Sequence, residues 1–78
     1  MVAARLPAIT GQRVVRAFER AGFVVDRIVG SHHVLEYPGD PTRTIVVPCH
    51  SGRDLKPGTL RGVIRRAGLT LEEFSALL

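Results

Sequence analysis

The sequence predicts an α+β fold in which helices pack on one face of a three-stranded antiparallel sheet. Three observations carry this reading. Two segments repeat apolar residues at i, i+3, i+4 and i+7: Val14, Ala17, Phe18 and Ala21, then Leu60, Val63, Ile64 and Ala67. Between them lie three β-branched runs, separated by Gly30-Ser31 and by Pro38-Gly39-Asp40-Pro41, both strong turn signals. Three short strands cannot bury an apolar face alone, so the helices must cover one side and leave the other at least partly open.

The elements follow in order as α-β-β-β-α plus a short C-terminal helix. Met1–Ile9 is apolar, broken by Pro7, and is expected to drape over the domain. Thr10 is suited to cap a helix running over Gly11–Ala21, and Arg13, Arg16 and Arg20 lie on a different side from its apolar stripe. Gly22 stands where a helix commonly ends in the left-handed conformation. Phe23–Val29 is β-branched and aromatic and reads as a strand, with imperfect alternation because Asp26 and Arg27 fall on opposite faces. His32–Tyr37 is its antiparallel neighbour. Pro38–Pro41 reads as a loop and Thr44–Val47 as the third strand, ended by Pro48. Cys49–Lys56 is a polar loop, and Pro57 is well placed to open the second helix. Gly68 stops that helix. Thr70 with Glu73 forms a capping box, and Leu69 with Phe74 the matching staple, so a third helix runs from about Leu71 to the end.

The chain has 78 residues, which makes one domain spanning residues 1–78. A chain this short buries only about 60% of its unfolded surface, so a partner subunit would add to a modest stability. Lys and Arg number 11 against 7 Asp and Glu, and ten of the cations are Arg. Arg suits bidentate phosphate recognition, although a GC-rich coding sequence inflates Arg too. Residues 1–68 carry all 11 cations with only Glu19, Asp26, Glu36, Asp40 and Asp54, while the last ten residues add Glu72 and Glu73. A basic body with an acidic end suits an anionic partner: RNA, DNA or an acidic protein.

Other chemistries lack their parts. Cys49 is alone, so it forms no intramolecular disulfide, in keeping with a reducing compartment. Beside His50 it reads as a small strand-end hydrophobe rather than a nucleophile. No Cys/His spacing marks a zinc site, and the scattered carboxylates do not gather for two-metal chemistry. No metal or other cofactor is expected. Ser31 next to His32 is not a triad, because adjacent strand residues diverge. No apolar run reaches the ~20 residues of a membrane span, so a soluble, cytoplasmic protein with no membrane contact is expected.

The residues left for chemistry centre on Gly30-Ser31-His32-His33. In a strand, the two histidines point to opposite faces. His33 shares its side with Leu35 and Tyr37, the bulkier set, and is expected to pack under the helices. His32 shares its side with Val34 and Glu36 and is expected on the open face, near the turn. His50 lies in the polar loop. RNA cleavage by attack of a 2′-hydroxyl needs one group to take a proton and another to give one, and two imidazoles do both without metal. Convergence of His32 and His50 is a matter for the fold. Arg53 and Lys56 precede a helix whose first turn, Pro57-Gly58-Thr59, attracts anions through its dipole. Arg61 and Arg65 lie i, i+4 on its exposed side. The ordinary reading of each basic patch is a solvated helix face; the glycine-bearing loop feeding a helix N-terminus favours a phosphate contact. No aromatic is left over for base stacking, so backbone and shape recognition fits better.

These residues resemble a known family. Gly22-Phe23, Arg27, Gly30-Ser31-His32, Val47-Pro48 with His50, Leu55-Lys56-Pro57-Gly58-Thr59-Leu60, and Ala67-Gly68-Leu69 before Glu73-Phe74 look like the HicA (YcfA-like) toxins, over about residues 8–75. The resemblance implies a double-stranded-RNA-binding-domain-like fold and a small, ribosome-independent endoribonuclease that cleaves mRNA. It also implies neutralisation by a cognate HicB-type antitoxin, with the free form monomeric and the silenced form a hetero-oligomer. The family's catalytic histidine is the one in Gly-Ser-His, which maps onto His32. Gly30 and Ser31 would shape its approach, and Gly30, Ser31, His50, Arg53, Lys56, Thr59 and Arg61 are the candidate nucleic-acid contacts. The alternatives are a non-catalytic RNA-binding module of the same fold and a DNA-binding regulator. The latter is disfavoured because no helix-turn-helix spacing is present.

Overall fold

The computed structural model describes residues 6–78. The elements are α1 (Gly11–Arg20), β1 (Val24–Val29), β2 (His32–Tyr37), β3 (Asp40–Pro48), α2 (Pro57–Arg66) and α3 (Leu71–Ser75). The three strands form one antiparallel sheet in the order β1-β2-β3. The α+β architecture and its element order are those expected. Of the N-terminal stretch expected to drape over the fold, residues 1–5 lie outside the described residues, while Ile9 is buried and Leu6 packs against the core.

Both long helices stop by the same local chemistry. At the end of α1 the Phe23 N–H donates to the Phe18 carbonyl and the Gly22 N–H to the Glu19 carbonyl. At the end of α2 the Leu69 N–H donates to the Ile64 carbonyl and the Gly68 N–H to the Arg65 carbonyl. Gly22 and Gly68 carry the positive φ, 102° and 77°, that this paired arrangement needs. At the other ends, the Thr10 hydroxyl accepts from the Arg13 N–H, and Thr70 and Glu73 form the full reciprocal capping box. Helix α3 ends at Ser75 rather than running to the terminus, and α1 is one residue shorter than the sequence indicated.

Two strand expectations need correction. The loop read over Pro38–Pro41 shrinks to Pro38-Gly39, with Gly39 at φ 82°, because Asp40 already pairs with Tyr37. The nine-residue β3 therefore starts four residues earlier than Thr44. Proline is tolerated there because β3 is an edge strand, and the Asp40 carboxylate secures the start by accepting from the Thr42 N–H. The irregular alternation in β1 is a β-bulge. Val25 pairs with Leu35 and Arg27 with Val34, so Asp26 is the extra residue and only its neighbour Arg27 pairs its side chain.

The core lies on one face of the sheet. Leu35, Ile45 and Val47 meet Val14, Ala17 and Phe18 of α1 and Leu60 and Ile64 of α2 in one buried cluster. Val34 is also buried but stands outside that cluster, opposite Arg27 and Val46 on the other face. That second face carries the exposed Val24, Val29 and Val46. Helices thus cover one side and leave the other open.

A chain of rings ties the helices to the sheet. Phe74 of α3 packs on Phe18 of α1 at 5.2 Å, Phe18 on Phe23 at 5.4 Å, and Phe23 on Tyr37 at 5.1 Å between centroids. Arg43 closes the chain. Its guanidinium lies 4.0 Å from the Tyr37 ring centroid and 5.3 Å from that of Phe23, and its Nε donates to the Ala67 carbonyl at 2.8 Å. One side chain therefore joins β3, two aromatic rings and the last turn of α2. A cation–π contact contributes about 0.5–2 kcal/mol, and a charged hydrogen bond about 1.5–3 kcal/mol. Arg43→Ala is expected to lower the unfolding free energy by about 2 kcal/mol, read from urea titration. Arg43→Lys should recover less than half of it, since an ammonium cannot stack flat on Tyr37 while donating sideways.

Candidate active site

Gly30 and Ser31 form a two-residue hairpin turn between Val29 and His32, which pair across it. Gly30 has φ 58°, and among the described residues no non-glycine residue has positive φ. A glycine first, followed by a residue with negative φ, is the order a type II′ hairpin turn requires. The turn is held from the far side of the sheet: the Cys49 N–H donates to the Ser31 carbonyl at 2.6 Å, just beyond the pair His32↔Pro48.

That pairing decides where the histidines go. His32 is exposed at the head of β2, on the open face, and His33 is half-buried opposite Ile28 and Val47 on the helix side. The Nδ1 of His33 is buried with no hydrogen-bond partner among the described residues. The chain leaves β3 at Pro48 and reaches His50 two residues later, beside His32. The two rings stand 6.5 Å apart between centroids and at 75° to each other.

The loop carrying His50 is fastened at three points. Its Cys49 end is tied to the turn, the Arg53 N–H donates to the His50 carbonyl at 3.0 Å, and the Leu55 N–H donates to the Ile9 carbonyl at 2.9 Å. Asp54 makes a backbone bridge with Thr10. Gly11 presses against the same loop: a Cβ there would lie 2.8 Å from the Cys49 Cα and 2.9 Å from its Sγ, closer than real contacts allow. Cys49 is buried, and burial raises its thiol pKa above the ordinary value. It therefore sits as a neutral hydrophobe, not a thiolate nucleophile.

Beyond His50 lies an open groove of about 350 Å³ lined by Pro48, His50, Arg53, Asp54, Leu55, Lys56 and Thr59. Lys56 caps α2 without a side-chain hydrogen bond to the first turn, and Pro57 opens the helix. The N–H groups of Gly58 and Thr59 are left without a capping side chain, and the positive end of the helix dipole adds to the two cations. Asp54 is the single carboxylate in the lining. An anion of phosphate size meets two cations and a helix N-terminus here.

Four of the sequence candidates, His50, Arg53, Lys56 and Thr59, line this one groove. His32 joins it through His50, and Gly30-Ser31 form the turn behind His32. Arg61 lines a separate groove with Arg65, Leu69 and Thr70. Arg13, Arg16 and Arg20 gather elsewhere with Leu78, where Arg20 donates to the Leu77 carbonyl at 2.8 Å. Sequence reasoning missed Asp54, whose place in the groove follows from its bridge to Thr10. The bulge at Asp26 brings Arg27, one of the residues that carry the family resemblance, onto the open face opposite Val34.

Among the described residues, no group of three or more His, Cys, Asp and Glu side chains gathers where an ion could be held. No helix among them is long and apolar enough to cross a membrane. What the arrangement offers is two adjacent imidazoles for proton transfer next to a cationic, phosphate-sized groove.

No curated protein matches the chain significantly. The profile of one family, described as the HicA toxin of bacterial toxin-antitoxin systems, matches residues 11–69. The match runs from the start of α1 through the Gly-Ser-His turn and the groove to the end of α2. The chain belongs to the HicA toxin family of bacterial toxin–antitoxin systems.

Proposed function

We propose that this toxin is an endoribonuclease that cleaves mRNA without the ribosome, using His32 in the proton transfers at the scissile phosphate. The observation that carries this reading is the placement of His32. It is solvent-accessible on the uncovered face of the sheet, beside His50, which lines a groove whose cations and helix N-terminus suit a phosphodiester. RNA would lie across the open face and the loop before α2. Arg53, Lys56 and the N–H groups of the first turn of α2 hold phosphate oxygens and stabilise charge developing on them. His32 then takes the 2′-hydroxyl proton or protonates the leaving oxygen, producing a cyclic phosphate end. The scattered carboxylates support a reaction without a metal ion.

The family implies a cognate antitoxin. Its contact surface should be acidic, to meet the basic body, and should cover His32. An exposed histidine on a sheet face is readily covered by a folded partner, which blocks RNA without changing the toxin's fold.

Three outcomes test the reading. His32→Ala should lower cleavage of a long single-stranded RNA by about 10²–10⁴-fold, while leaving folding and antitoxin binding largely intact. Full cleavage by that variant sinks the proposal, and a wild-type protein that shifts RNA without ever cutting it is a binding module instead. Cleavage should persist in EDTA; activity lost there and restored by magnesium refutes the metal-free reaction. Finally, Arg53→Ala combined with Lys56→Ala should flatten the dependence of log K on log salt for single-stranded RNA by about 1.4, the value for two lost phosphate contacts. An unchanged slope removes the groove from the binding site.

A further inference from the structure

We propose that His50 is a second catalytic residue, and that His32 and His50 divide the two proton transfers of one RNA cleavage between them. This rests on the ribonuclease reading above and deepens it. The sequence raises His50 as a proton-transfer partner for His32 and leaves their convergence open. The fold does something more specific.

The separation is the first argument. The rings stand 6.5 Å apart between centroids, close enough for the 2′-oxygen and the departing 5′-oxygen around a single phosphorus to meet one imidazole each. The rings are steeply inclined, at 75°, and neither ring stacks on the other. Both histidines are exposed, so a phosphodiester can approach the two rings from solvent.

The rigidity is the second argument. Proton transfer demands position, and a 1 Å displacement reduces rates severely. His32 is fixed by its strand pairing, and His50 by the Cys49–Ser31, Arg53–His50 and Leu55–Ile9 hydrogen bonds. A loop residue that only brushed phosphates would not need three backbone anchors within seven residues.

The surroundings are the third argument. The charged groups sharing the groove with His50 are Arg53, Asp54 and Lys56. Arg53 stays charged at all working pH values and cannot cycle a proton. Asp54 and Lys56 supply the other charges of the lining, and the Asp54 backbone bridges to Thr10. His50 carries the imidazole of this lining, and it stands beside His32.

The chemistry balances with two rings and no co-reactant. One neutral imidazole takes the proton of the 2′-hydroxyl as that oxygen bonds to phosphorus. The P–O5′ bond breaks, and the other, protonated ring gives its proton to the departing 5′-oxygen. The products are a 2′,3′-cyclic phosphate and a 5′-hydroxyl. The first ring ends as imidazolium and the second as imidazole, and exchange with water resets them.

The test uses the full-length toxin and an RNA oligonucleotide containing one mapped cleavage site. A second oligonucleotide carries sulfur in place of the 5′-oxygen at that site, so that a thiolate leaves and needs no proton. Wild-type toxin should show a bell-shaped dependence of kcat/KM on pH. His50→Ala and His32→Ala should each lose about 10²-fold or more in kcat on the oxygen substrate, with KM little changed, and each should lose one limb of the bell. The sulfur substrate should restore one of the two variants and not the other, which assigns acid and base. Retained activity in His50→Ala with an inactive His32→Ala overturns this inference and leaves the ribonuclease reading standing. Loss in His50→Ala that appears wholly in KM, or rescue of both variants or of neither, also overturns it. Full activity in His32→Ala overturns the ribonuclease reading itself. Because His50 is exposed, an unchanged unfolding midpoint is expected for its variant, and His50→Gln provides a second one that keeps the polar contact.

Discussion

The site depends on the register between β2 and β3. His32 lies opposite Pro48, and one residue further on the Cys49 N–H reaches back to the Ser31 carbonyl. In a sheet with one covered face, a slip of a single residue would send every side chain of the strand to the other side. Here it would bury His32, expose His33 and separate the turn from the loop that carries His50. The register is protected by the burial it produces. Leu35 opposite Ile45, and His33 opposite Val47, place four side chains against the helices, and three of them are among the most buried in the molecule. Packing in the core thus positions groups on the opposite, wet face.

Charge is distributed by task rather than by total. The ten Arg residues suggest a uniformly sticky surface, yet several are occupied. Arg43 is stacked on rings and bonded to the end of α2, Arg20 holds the Leu77 carbonyl, and Arg27 pairs with Asp26. Among the described residues, Arg53 and Lys56 form no ion pair, and they stand in the groove beside His50. An Arg that holds helices together and an Arg left facing an open groove look identical in a count of charges. The difference lies in what surrounds them, which is why net charge informs partner class better than it informs affinity.

Much of this was legible in the sequence. Periodicity located both long helices, glycines located their ends, and Thr70 with Glu73 announced the capping box that α3 displays. Alternation separated His32 from His33 correctly, because the side-chain period of a strand is strict. Four features were not legible, each for a physical reason. The start of β3 was hidden because Pro38-Gly39-Asp40-Pro41 carries more turn chemistry than its two-residue turn uses. The bulge at Asp26 resembled noise in a pattern, since a single inserted residue reverses the faces on either side of it. The nearness of His50 to His32 depends on a pairing between residues 18 positions apart in the chain, and local propensity holds no information about such distances. Arg43 was missed for the same reason, its partners being contributed by three other elements.

The bulge has a consequence beyond β1 itself. β1 is an open border of the sheet and displays Val24, Ile28 and Val29 to solvent, a composition that invites another chain to add a strand and begin an aggregate. The extra residue at Asp26 interrupts that border, leaving only Arg27, Ile28 and Val29 in unbroken register beyond it. It also mounts a charged pair at the interruption. The stretch left in register is short and has a charged pair beside it, two features that blunt edge-to-edge pairing.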